Sequence, residues 1–122
     1  MNQRREAMEI QSERRQQTLV ISRAGSVDAL TADQAESFIG SQIDAGRETI
    51  VLDLGQVDFM SSAGIRVLLQ TLRMSRAIGG DLRLAAAQPG VERTLEISGL
   101  VRLFKLYPSV DEAVRSFAPE ES

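Results

Sequence analysis

Two adjacent hydroxyls stand in the stretch Phe59-Met60-Ser61-Ser62-Ala63-Gly64-Ile65, followed by two residues with almost no side chain. A serine can attack as a nucleophile, cap a helix or carry a phosphate, and its neighbours decide which. The chain has no His, so neither serine can be paired with an imidazole base. Lys105 is the sole lysine, on a segment whose placement the sequence leaves open, which gives a Ser-Lys hydrolase poor support. With no Cys there is no thiolate nucleophile, disulfide frame or thiolate metal site. The expectation is a protein that is not an enzyme and needs no cofactor or metal.

The serines are expected where a buried strand hands over to a helix. The first amides of a helix lack internal partners and carry the positive end of its dipole, so they attract a hydroxyl, a phosphate or a carboxylate. Ser61 or Ser62 can simply be the N-cap. Ala63 and Gly64 have two readings: they leave the helix start uncovered for a partner's backbone, or Gly64 is a packing glycine under a loop. Arg66, Gln70 and Arg73 share one face of the same helix, as a solvated face or as a docking stripe beside Ser62. Asp28 reads as a turn aspartate bonding its own backbone, or as a partner contact on the same sheet edge.

The elements that must position these residues follow from periodicity. Met8 to Arg14 alternates weakly, as an edge strand. Leu19, Val20 and Ile21 are continuous apolar residues within a strand Thr18 to Arg23, covered on both faces and broken at Gly25. Thr31 with Gln34 resembles a capping box for a helix carrying Ala35, Phe38, Ile39 and Ile43 and stopped at Gly46. Thr49 to Leu54 is a second buried strand. A long helix runs from about Ser62 to Ile78, apolar at Ile65, Leu68, Leu69 and Leu72 and closed by Gly79-Gly80. Asp81 to Ala86 is a strand, and Pro89 opens a short helix that Gly99 ends, with Leu100 as its hydrophobic contact. Leu103 to Tyr107 is a strand, and Ser109 with Glu112 caps the last helix.

The order β-β-α-β-α-β-α-β-α predicts one α/β domain over residues 8–118, with a mixed, mostly parallel sheet of about five strands and about four helices. Residues 1–7 and 119–122 are expected to be flexible. Three loops, Gly25 to Asp28, Gly55 to Ser61 and Ala87 to Pro89, leave the sheet at the edge where open α/β folds place binding sites.

Composition agrees with such a domain: 122 residues, 43% hydrophobic, 25% charged and only 4% aromatic, so Leu, Ile, Val and Ala must fill the core. A formal charge of −3 argues against general affinity for nucleic acid or anionic membranes, and the Arg4-Arg5 and Arg14-Arg15 pairs are too sparse for a nucleic-acid patch. The apolar runs are far short of a membrane span, and the polar first residues do not read as a signal peptide. The expected address is the cytoplasm.

The stretch Val51 to Leu69, VLDLGQVDFMSSAGIRVLL, resembles the signature of STAS domains, in particular the bacterial anti-sigma factor antagonists. Gly25-Ser26-Val27-Asp28 and Ile97-Ser98-Gly99-Leu100 resemble two flanking family motifs, and the element order matches. The resemblance implies a STAS-like fold and partner switching. The unphosphorylated form would bind an anti-sigma factor that is itself a serine kinase with a histidine-kinase-like ATPase fold. Phosphorylation would release it, and a PP2C-type phosphatase would reset the system. The family motif typically reads Asp-Ser-Ser/Ala-Gly with the phosphoacceptor after the Asp, which implies Ser62. Here Ser61 stands where the Asp usually does, which keeps a capping group, removes a negative charge and makes Ser61 a second candidate. Partner contacts are then expected from Asp28, Ser61, Ser62, Ala63, Gly64 and Arg66. The alternative is an adaptor STAS domain in a signalling or lipid-transport complex, its serines serving only as caps.

Overall fold

Continuous apolar runs build the centre of a five-stranded sheet. The computed structural model describes residues 10–15, 17–28, 31–43 and 49–117. In chain order these form β1 (Ile10–Arg15), β2 (Thr18–Arg23), β3 (Gly25–Val27), α1 (Ala32–Ile43), β4 (Thr49–Asp53), β5 (Val57–Met60), α2 (Ser62–Ala77), β6 (Asp81–Ala85), α3 (Pro89–Ile97), a 3₁₀ turn (Leu100–Arg102), β7 (Leu106–Tyr107) and α4 (Val110–Phe117). The main sheet has the order β1-β2-β4-β6-β7. β1 runs antiparallel to β2, while β2, β4, β6 and β7 are mutually parallel. The expectations for residues 1–7 and 119–122, and the Gly46 stop, lie outside the described residues.

Successive side chains of a strand point to opposite faces, so the run Leu19-Val20-Ile21 serves two cores. Leu19, Ile21, Ile50, Leu52, Leu82 and Leu84 pack with residues of α1, α2 and α3 on one face. Val20, Val51 and Ala85 pack with Ala113 and Val114 of α4 on the other. This double coverage is why these strands lack polar alternation.

Three expectations are corrected. Gly25 does not simply end β2: at φ +90° it turns the chain into β3, which pairs in parallel with β5 as a separate two-stranded sheet. The predicted loop 55–61 therefore contains a strand. The predicted strand from Leu103 to Tyr107 shrinks to two residues, because a 3₁₀ turn closes at Leu103 and Phe104 is buried before the chain pairs with β6. In α2 the buried face is Ala63, Gly64, Val67, Leu68, Thr71, Leu72 and Ser75, while Ile65 and Leu69 are only partly buried. Small and hydroxyl side chains let α2 approach closely, and the buried hydroxyls are satisfied within the helix: Thr71 Oγ1 donates to the Val67 carbonyl at 2.8 Å and Ser75 Oγ to the Leu72 carbonyl at 3.0 Å.

Candidate functional site at the start of α2

Parallel β3 and β5 end side by side, with Val27 opposite Met60, and this sets where α2 begins. The Ser61 N–H donates to the Val27 carbonyl at 2.9 Å. The Ser61 hydroxyl donates to the same carbonyl at 3.4 Å and accepts the Ala63 N–H at 3.2 Å. Ser61 is thus the N-cap of α2, with extended backbone, and its side chain ties the helix start to β3. A serine can donate and accept at once; a carboxylate at this position could not donate to Val27.

Ser62 is the first residue of α2 and is exposed. The cap being filled by Ser61, the Ser62 side chain is open to solvent. Arg66, one turn further, is also exposed and makes no ion pair among the described residues. Arg73 continues the row as an exposed residue, while Gln70 is partly buried.

Ala63 and Gly64 do not leave the helix start uncovered, contrary to the first of the two sequence readings. Both are buried. A Cβ on Gly64 would lie 2.7 Å from the Val27 carbonyl oxygen, 2.8 Å from Met60 Cγ and 2.9 Å from Val27 Cγ1. Gly64 is therefore the packing glycine, small because the β3 backbone passes against it. The two residues shape the site from beneath, Ala63 retaining 9% exposure.

Asp28 follows Val27, and its carboxylate closes the turn into α1. Asp28 Oδ1 accepts from the Thr31 N–H and the Thr31 hydroxyl, both at 3.3 Å, and the Asp28 N–H donates to Thr31 Oγ1 at 3.0 Å. This matches the local-turn reading of Asp28. Of the three expected loops, the first two join directly, Gly25 N–H to the Gln56 carbonyl at 2.9 Å, and the third reaches them through Gln88 Nε2 to the Gly55 carbonyl at 2.8 Å. The structure thus groups Ser61, Ser62 and Arg66, with Asp28 beside them at the end of β3.

Phe59, which the sequence does not mark as a contact residue, is exposed on the strand that leads into this helix start. It lies on β5 beside Ser26 and is 54% exposed. Along β5 the two ends are buried and Asp58 and Phe59 are both exposed, so the strand has no alternation to mark an outward aromatic. Its exposure was the missing signal.

No group of three or more His, Cys, Asp or Glu among the described residues is arranged to hold a metal ion, and no described helix is long and apolar enough to cross a membrane. What the site offers is an exposed hydroxyl and an exposed cation one turn apart on α2, with an exposed aromatic ring on the strand that leads into that helix, features that suit recognition by another macromolecule.

The fold and the sequence define the class. The STAS domain family model matches residues 9–113, and the chain belongs to that family. Among its relatives, BtrV of Bordetella bronchiseptica is 36% identical over 99 residues, 81% of this chain and 85% of the relative. The anti-sigma F factor antagonist of Paenibacillus polymyxa is 30% identical over 115 residues, 93% of this chain and 96% of the relative. The anti-sigma factor antagonist SpoIIAA in its unphosphorylated form superposes with a TM-score of 0.76 at 27% identity, covering 90% of this chain and 99% of that one. The phosphorylated form of Bacillus SpoIIAA gives 0.70 at 25% identity, covering 89% and 99%.

Proposed function

We propose that this chain is an anti-sigma factor antagonist that switches partners through phosphorylation of Ser62. The observation that carries the reading is a division of labour at α2: Ser61 fills the cap and bonds Val27, so the exposed Ser62 hydroxyl is not needed to hold the fold. Relatives named as anti-sigma factor antagonists, and a similar protein solved in unphosphorylated and phosphorylated forms, support it.

In the unphosphorylated state the surface of Phe59, Ser62 and Arg66, flanked by Ser61 and Asp28, docks on an anti-sigma factor that is also a serine kinase, and the sigma factor is freed. That kinase supplies ATP and Mg²⁺; this domain contributes a hydroxyl and a shape, with no catalysis and no cofactor. A phosphate adds about −1.5 to −2 charges at Ser62. A partner fitted to this surface then meets bulk and desolvated charge, and losing about 3 kcal/mol weakens binding more than a hundredfold. A PP2C-type phosphatase restores the hydroxyl. The reading puts the chain in the cytoplasm, where transcription takes place.

The test is to incubate the full chain with ATP and an anti-sigma factor serine kinase from the same organism, then map the phosphate by mass spectrometry. Label on Ser62, lost in Ser62→Ala and retained in part in Ser61→Ala, is expected. Label on Ser61 moves the acceptor by one residue. Tight partner binding with no phosphate uptake would make the chain a constitutive adaptor instead.

A further inference from the structure

The Ser61 hydroxyl already holds an amide that a phosphate on Ser62 would otherwise seek. It accepts the Ala63 N–H at 3.2 Å, and the Ile65 N–H is bonded to the Ser61 carbonyl at 3.0 Å. Part of the helix start is thus already engaged, and the surface supplies a charged donor for a dianion on the first helical residue. Arg66 lies four residues on, where side chains of a helix are neighbours, about 5–6 Å apart at Cβ. Like Ser62 it is exposed, and no ion pair among the described residues occupies it. Its planar fork matches two phosphate oxygens. Of the charged side chains beside β3 and β5, Arg23 at the end of β2 is buried and donates to the Ser26 carbonyl at 2.8 Å, while Asp58 on β5, within 3.5 Å of the Ser26 hydroxyl, and Asp28 after β3, engaged with Thr31, are acids. Neither acid can hold an anion.

We propose that Arg66 is the intramolecular partner of a phosphate on Ser62, so that modification withdraws the cation from the docking surface in the same step that adds an anion. This rests on the reading of Ser62 as the acceptor and adds a second element to the switch. Before modification the surface presents a free guanidinium beside a hydroxyl. Afterwards the guanidinium is folded onto the phosphate, and a partner loses an attractive group as well as meeting a repulsive one. Arg66 is here a positioning residue, acting through the phosphate and not on a reacting atom.

The experiment encodes phosphoserine at position 62 of the full chain during synthesis, which makes the phosphoprotein without any kinase. The phosphorus NMR signal is titrated in the otherwise wild-type chain, in Arg66→Lys and in Arg66→Ala, at low and high salt. The second phosphate ionisation is expected at the lowest pH with Arg66, higher with lysine and highest with alanine, the spread closing at high salt. Coincident midpoints in all three proteins would overturn the proposal. So would a low midpoint in all three that ignores salt, since backbone amides would then be holding the phosphate. Unmodified Arg66→Ala should unfold at the wild-type temperature, which separates this effect from misfolding. Phosphate mapping after kinase treatment tests the acceptor independently: its failure moves the acceptor and leaves the Arg66 chemistry to the NMR result.

Discussion

Ser61 opens α2 and Ser109 opens α4, each through its hydroxyl: Ser61 accepts the Ala63 N–H and Ser109 the Glu112 N–H, both at 3.2 Å. The first turn of α4 then carries Asp111 and Glu112, and Asp111 pairs with Arg15 of β1. The first turn of α2 carries no acid, only Ser62, Ala63 and Gly64. Among the four described helices the other three each have an acid in the first turn. The positive end of α4 is neutralised by its own residues and its far end is fastened by Arg83, which donates to Ser116 and stacks on Phe117 at 4.0 Å. The positive end of α2 is left uncompensated in the unmodified chain. The same cap thus closes one helix start and leaves the other receptive to negative charge.

The largest effect should be on partner binding. Phosphorylation of Ser62 is expected to lower affinity more than a hundredfold, and Ser62→Asp, with one charge, about tenfold or more. Because the charge arrives at an uncompensated helix start, Ser62→Asp should keep wild-type thermal stability or gain a few tenths of a kcal/mol. Isothermal titration against the partner, beside thermal unfolding, checks both; loss of binding through unfolding would break the contrast with α4.

Gly64→Ala comes next. The added Cβ meets a backbone carbonyl, which cannot rotate away, and the expected destabilisation is about 1–3 kcal/mol in chemical unfolding. Gly90→Ala in the first turn of α3, where a Cβ meets nothing within 4 Å, should instead be neutral or stabilising by up to about 1 kcal/mol. Equal effects would mean that the close approach to Val27 is not what requires glycine.

Removing the two caps sharpens the comparison. Each of Ser61→Ala and Ser109→Ala should cost about 1 kcal/mol, with Ser61→Ala the larger because its hydroxyl also bonds Val27 of another element. A larger loss at Ser109 would show that the tie to β3 contributes nothing.

The smallest effect concerns pH. The hydrogen bond from Arg15 holds the Asp111 carboxyl below its ordinary value, with the Arg15 charge acting in the same direction. A carboxyl depressed in the folded state stabilises above its unfolded pKa, and that contribution is lost as pH falls through the folded pKa. Asp111→Asn should therefore leave a slightly shallower decline in stability on acidification from neutral pH. Urea unfolding across that interval measures it, and the difference should shrink in high salt because the pair is on the surface.

Much of this was legible without coordinates. The limits of β2, the Pro89 start of α3, the Ser109 cap and the family signature around Ser62 each rest on residues close in sequence, where spacing carries the physics. The β3–β5 pair was not legible, because it joins residues more than thirty positions apart and has an irregular register with no period of two to announce it. For the same reason the sequence left Gly64 open between a bare helix start and a packing position. Only the fold brings the Val27 carbonyl against Gly64 and gives Ser61 a second partner, and these contacts decide that Ser61 holds the helix while Ser62 faces solvent. Sequence determines which residues can cap, pack or carry charge; a capping and an exposed hydroxyl differ only by which backbone lies beside them, and that is a property of the tertiary structure.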